Sequence, residues 1–257
     1  MKELVIDVTG INETILDSFN EKLSKCFYNK KGAFTELELN NKNYLLFAYE
    51  ESEEAFLKNE TFNLISTVVR EQFKYDYIFK NLIIKDKKSS KFNLLVKVLT
   101  FFDREYDDTR IVKELSYKDY ICIHSFFYFK LRKLTKKWEE IVRLTNKNSN
   151  YLLFNEGFYE YIRFIISNLE FKKEELSLFE KQGYYYIFSG PDELARVEKV
   201  DEVDLIKQII NFNPKKINIS VSNKELFELL LSFFDNRVEV WKICWQIFFM
   251  CYIERVT

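Results

Sequence analysis

This chain is short of the residues most reactions depend on. Its 257 residues contain one histidine, so a Ser-His-Asp or Cys-His arrangement has one possible base, His124. That residue sits in the apolar stretch ICIHSFFYF, the setting of a structural imidazole. Cys122 lies two residues away and would point elsewhere on a helix. With five glycines and two prolines, the chain has no glycine-rich phosphate loop and no G-x-S-x-G elbow. The four cysteines, Cys26, Cys122, Cys244 and Cys251, are scattered and read as reduced thiols rather than a disulfide framework. Cys244 and Cys251 could share a helical face, but two thiols without a histidine make a poor zinc site. Neither charge sign is in excess. The 39 Lys and Arg against 40 Asp and Glu leave a net charge of −1, which excludes a global drive toward nucleic acid or anionic lipid while leaving a local patch open. Long apolar runs are missing too. Residues 120–129 are interrupted by His124 and Ser125, and 244–253 by Gln246; both fall short of the ~20 residues of a spanning helix. The start, MKELVIDVTG, has no apolar signal-peptide core ahead of its acidic residues. The expectation is a cytoplasmic protein without membrane insertion.

What the chain does have is aromatic mass: 26 Phe and 16 Tyr bring aromatics to 18%. Two accounts stand, an AT-rich coding genome and a platform that stacks bases or sugars. The 47% hydrophobic and 31% charged fractions are those of a globular protein, long enough for one large domain or two to three small ones.

Residues 1–50 read as a β-α-β-β unit. Leu4 to Val8 form a strand, a helix carries Ile15, Leu16, Phe19 and Leu23 on one face, and two apolar runs flank NNKN as a hairpin. From 52 to 182 strand signals fade, and four or five amphipathic helices are expected. Leu94, Leu95, Val98, Leu99 and Phe102 mark one; Phe158, Tyr161, Ile162, Ile165, Ile166 and Leu169 mark another. Ser116 with Asp119 suggests a helix start before a run to Leu144. An α/β unit follows over 184–257. It holds a strand from Tyr184 to Phe188, a turn at Pro191, a helix capped by Asp201, and a strand from Ile217 to Val221. A helix with a Ser222–Glu225 capping box then leads to a strand from Val238 to Trp241. The last three elements form a βαβ unit with parallel strands. The fold class is α+β.

The blocks FYFKLRKLTKKWEEIV at 127–142, NEGFYEYIRFIISNLE at 155–170, PKKINISV and FDNRVEVWKIC resemble the YtxC-like sporulation proteins of endospore-forming Firmicutes. Phe129 and Arg132, Glu160 to Ile162, Lys215 to Ile217, and Asn236, Arg237 and Val238 through Cys244 stand where that family's short motifs fall. The resemblance covers roughly 120–244 and departs at the end, where WQIFFMCYIERVT replaces a polar cysteine-bearing tail. It implies a sporulation-linked protein and supplies no catalytic residues.

Two surfaces are candidates for function. Lys130, Arg132, Lys133, Lys136, Lys137, Arg143 and Lys147, with Trp138 among them, combine cations and an aromatic plane as single-stranded nucleic acid requires. Glu139 and Glu140 interrupt this face, and a solvated helix surface is the plainer reading. The tail residues Trp245, Phe248, Phe249 and Tyr252 either pack on the core or meet a partner. Asp107 with Asp108, and Glu174 with Glu175, read as solvated charge; Ser220 to Asn223 reads as a plain helix cap. No catalytic residue, cofactor site or metal ligand is assigned. The leading expectation is a non-enzymatic, sporulation-associated interaction module with a protein partner or self-association. The alternative is nucleic-acid binding through 130–147. An enzyme with an unrecognised pocket around His124 is a third reading.

Overall fold

The computed structural model describes residues 1–27, 30–84, 86–116, 118–149, 152, 155–169, 171–190, 194–198, 202–221 and 223–240. The fold is α+β, and the chain groups into two compact units that are not consecutive in sequence. One holds 1–82 and 103–145, the other 83–102 and 146–257. The units interleave along the chain. The helix Ser90–Phe101 leaves its sequence neighbours and packs among C-terminal elements.

The first unit begins as expected: β1 (Lys2–Asp7), α1 (Glu13–Phe27), β2 (Gly32–Leu39) and β3 (Lys42–Tyr49). Asn40 and Asn41 take φ of 53° and 59°, the left-handed pair that a two-residue hairpin loop requires. β3 is central to this part, pairing antiparallel with both β2 and β1. Leu4, Ile6, Leu45 and Phe47 bury one face of the sheet, and Leu16, Phe19 and Leu23 bury the matching face of α1. Rings of Phe27, Phe34, Phe47 and Phe56 close the contact at the end of α1.

The middle of the chain departs from expectation. A short strand, β4 (Tyr120–Cys122), pairs parallel with β1, so Ser116 and Asp119 do not open a helix there. The backbone carbonyl of Asp119 instead accepts from the Val5 amide at 2.8 Å. The run to Leu144 is two helices, α6 (Ile123–Lys130) and α7 (Arg132–Lys147). Earlier lie α2 (Glu54–Val68), a π-helical turn (Val69–Lys74), α3 (Tyr75–Asn81), α4 (Ser90–Phe101) and α5 (Arg104–Glu114), more helices than the periodicity suggests. The π turn adds a residue to one turn and moves the buried stripe by one position. Leu57, Leu64, Ile65 and Val68 precede it; Phe73, Lys74 and Ile78 continue it.

The second unit contains α4, α8 (Asn155–Ser167), β5 (Lys173–Lys181), β6 (Tyr184–Phe188), β7 (Leu194–Glu198), α9 (Glu202–Phe212), β8 (Pro214–Ser220), α10 (Lys224–Phe234) and β9 (Val238–Val240). Its sheet has the order β7-β6-β5-β8-β9. β8 and β9 are parallel, as the βαβ reading requires. The strands β5 and β7 are additions to that reading. KEELSLFEK suits a helix by composition, yet Gln182 and Gly183 at φ 50° and 83° fold it back on β6 as a hairpin. Asn223, not Ser222, caps α10: its side chain accepts from the amides of Glu225 and Leu226 at 2.9 and 3.2 Å. Ser222 itself, Pro191, Asp201 and everything from 241 onward lie outside the described residues, as does the tail set Trp245, Phe248, Phe249 and Tyr252.

Candidate functional site

The largest correction concerns the acids read as solvated. Asp107 is fully buried, and so is Lys74. Lys74 Nζ lies 2.6 Å from Asp107 Oδ2, and Trp138 Nε1–H donates to Asp107 Oδ1 at 3.1 Å. Adjacent residues do diverge on a helix, but both of these find cations on the facing strip. Asp108 accepts from Arg70 and Ser66, and Arg104 Nε stands 3.6 Å from its other oxygen. Arg70 and Lys74 are four residues apart across the π turn, so they share a face and meet the two acids of α5. Desolvation dominates the energetics. It holds the Lys74 ammonium below its usual pKa and Asp107 above the carboxylate range, with their mutual attraction restoring part of each.

The π turn fastens more than this pair. Gln72 Nε2 donates to the Gly10 carbonyl at 2.8 Å, and its Oε1 accepts from the Asn12 amide at 2.9 Å. Phe73 stacks on Phe127 at 4.4 Å and meets the edge of the half-buried His124 at 5.0 Å. The lone imidazole therefore packs among rings. An ion pair with no exposed atom can neither meet a substrate nor exchange protons with one, so Lys74, Asp107 and Trp138 form a fastening.

Trp138 accordingly leaves the proposed basic surface. It has no exposed area and shares the inward face of α7 with Leu134, Ile141, Val142 and Thr145. The spacing i, i+4, i+7, i+8 places it there, and that signal was legible in KLTKKWEEIV. Lys130, Arg132, Lys133, Lys136, Arg143 and Lys147 are exposed. Lys137 turns toward Asp103 at 3.5 Å and Glu140 at 3.8 Å. The cations thus form a broken surface rather than a continuous track.

Part of that surface borders a groove of about 480 Å³ between α3 and α6–α7. Phe73, Tyr77, Phe127 and Tyr128 supply its aromatic lining; Asp76 and Lys80 from α3, and Arg132, Lys136 and Glu139 from α7, line it as well. Tyr128 and its neighbour Phe129 are 61% and 69% exposed. Trp138 stacks behind Phe127 at 5.7 Å and stiffens the floor from within.

A smaller polar cluster closes the β1–α1 loop. Tyr120 donates its hydroxyl to Asp7 Oδ2 at 3.0 Å, and the Thr9 amide donates to Oδ1 at 3.0 Å. Desolvation opposes the Asp7 carboxylate, but hydrogen bonds from Thr9 and Tyr120 outweigh it and hold its pKa below the usual value. The same contact, after desolvation, pushes Tyr120 up to about 12. A depressed carboxyl contributes stability that is complete above its unfolded pKa, about 3.9, and is lost as pH falls through the folded value. Asp7→Asn should therefore flatten the decline in stability below pH ~4, read from urea midpoints across an acid series.

Among the described residues no group of three or more His, Cys, Asp or Glu is placed to hold a metal ion, and no helix is long and apolar enough to cross a membrane. Comparison with family models, with curated proteins and with solved structures finds no match for this chain.

Proposed function

We propose that this chain is a non-enzymatic protein-interaction module of the cytoplasm, associated with spore formation, and that the α3/α6–α7 groove is its docking surface. The observation that carries the reading is the composition of that groove. Four aromatic side chains line it, and three cations and two acids border it. Such a surface suits a peptide that inserts an apolar or aromatic anchor and brings acidic flanks to Arg132, Lys136 and Lys80. The link to sporulation rests on the order of the blocks at 127–142, 155–170, 214–221 and 234–244.

Nucleic-acid binding is the second reading, favoured by the cations and aromatic faces standing together. Asp76 and Glu139 oppose it, because a polyanion must pass both. The two readings separate by experiment. Capture from sporulating cells with wild type, Tyr128→Ala/Arg132→Glu and a chain truncated after 240 should yield one defined partner. That partner is lost with the groove variant and kept with the truncation. Loss with the truncation alone would move the docking surface to the tail. Retention on a single-stranded oligothymidine that falls steeply with salt and vanishes on Arg132→Glu/Lys136→Glu would establish the second reading instead.

A further inference from the structure

Among the described residues, the first sheet ends on a strand that no further strand covers. In the order β2-β3-β1-β4, β2 is terminal. It pairs with β3 without a bulge over eight residues, from Gly32↔Tyr49 to Leu39↔Lys42. Terminal strands are ordinarily guarded by proline, charged side chains, a bulge or extreme shortness. GAFTELEL has no proline and no bulge, and its only charges are Glu36 and Glu38, a guard against acidic or identical strands alone. From Thr35 to Leu39 every residue is exposed, so one row of backbone amides and carbonyls along this strand is open to a further strand.

The side chains state which strand would fit. Alternation puts Leu37 and Leu39, 42% and 55% exposed, on one face and Glu36 and Glu38 on the other. Helix α1 extends the acidic side. Its Asn20 bonds Glu36, and the exposed Asp17 and Glu13 stand three and seven residues before it on the same helical face. Four nearby lysines are engaged elsewhere: Lys22 with Glu60, Lys25 with Glu21, Lys30 with Glu53 and Lys31 with Glu50; Lys42, opposite Leu39, stands on the face away from Glu36 and Glu38. A second copy of β2 is disfavoured in the registers centred on its exposed half. Antiparallel pairing about Leu37 would set Glu36 directly opposite Glu38, and pairing about Glu36 would oppose that residue to itself; like charges so placed are destabilising.

We infer that the free edge of β2 accepts an extended basic segment of a partner protein, in which lysine or arginine alternates with apolar residues, as a fifth strand of the first sheet. The partner's cations lie against Glu36 and Glu38, and its apolar residues lie beside Leu37 and Leu39. Backbone hydrogen bonds supply the attachment and the alternation supplies the choice. The edge is distinct from the α3/α6–α7 groove, so this inference stands whether or not that groove docks a peptide.

The probe is a fluorescent, end-capped octapeptide of alternating lysine and valine, titrated into the full-length protein and followed by anisotropy. It should bind, and an alternating glutamate–valine octapeptide should not. N-methylation of every second amide, tested in both phases, keeps the charge and removes one pairing edge; in one phase it should weaken binding by about tenfold or more. Glu36→Lys/Glu38→Lys should reverse the preference between the two peptides. Equal binding by both N-methylated phases would show simple charge attraction and overturn the inference. So would no binding of the lysine peptide, an unchanged preference in the variant, or sedimentation showing a wild-type dimer that this variant dissociates.

Discussion

Replacing Lys74 by methionine should lower the stability of the first unit by about 3–5 kcal/mol, the usual loss when one member of a buried ion pair is removed. The substitution is close to volume-conserving, so little of the loss is packing. It leaves Asp107, which has no exposed surface, without its 2.6 Å cation, while the Trp138 Nε1–H remains as a donor at 3.1 Å. Asp107→Leu should also destabilise, because the buried Lys74 ammonium loses its 2.6 Å carboxylate. Lys74→Met/Asp107→Leu should recover most of the loss, because a hydrophobic replacement removes both desolvation penalties together. The indole N–H left without an acceptor costs about 1–3 kcal/mol and limits that recovery. Urea titrations of the four chains, followed by far-UV circular dichroism, give the coupling directly. Additive losses would show that the pair is not a unit.

The same variant has a pH signature of known sign. In Lys74→Met the Asp107 carboxyl loses the cation that offsets its desolvation, so its folded pKa rises further above the unfolded one. A raised carboxyl contributes stability that is fully present below the unfolded pKa of about 3.9 and is lost as pH rises through the folded value. Relative to wild type, the variant should therefore be least penalised in mild acid.

Arg237→Leu should destabilise the second unit by about 2–4 kcal/mol, since hydrogen bonds from a charged donor are each worth about 1.5–3 kcal/mol and partial solvation discounts them. The guanidinium donates to Asn213 Oδ1 at 3.0 Å, to the Pro214 carbonyl at 3.4 Å and to the Ile166 carbonyl at 3.1 Å. It also lies over the Phe171 ring at 4.6 Å. It thus ties the end of α8 to the start of β8, and desolvation lowers its pKa without neutralising it. Asn213, with φ of 34°, and the helix-terminal carbonyl would be left without this donor. Arg237→Lys should recover little, because a single ammonium cannot reproduce the planar fork. Thermal unfolding of both variants against wild type measures the difference. This clamp also gives the DNRV block of the sequence a structural role.

Local periodicity determined a good part of this protein by itself. The faces of α1, α4, α8 and α9, the Asn40–Asn41 hairpin and the parallel β8–β9 pair follow from apolar spacing and turn chemistry. Apolar spacing and turn chemistry act between near neighbours, and the right-handed crossover rule adds the parallel pairing. The inward face of α7, with Trp138, was legible in the same way.

Other features were decided only by tertiary structure. β5 is a strand because β6 and β8 are there to pair with it; its own KEELSLFEK composition suits a helix, and propensity yields to pairing. β4 exists because β1 offers an edge. The burial of Lys74 depends on a π turn, whose extra residue shifts the stripe that a 3.6-residue period would draw. Asp107 looked solvated because a charge is affordable inside only when its counter-charge arrives from a distant segment, 33 residues away here. A sequence records each charge separately, whereas their energies belong to the pair.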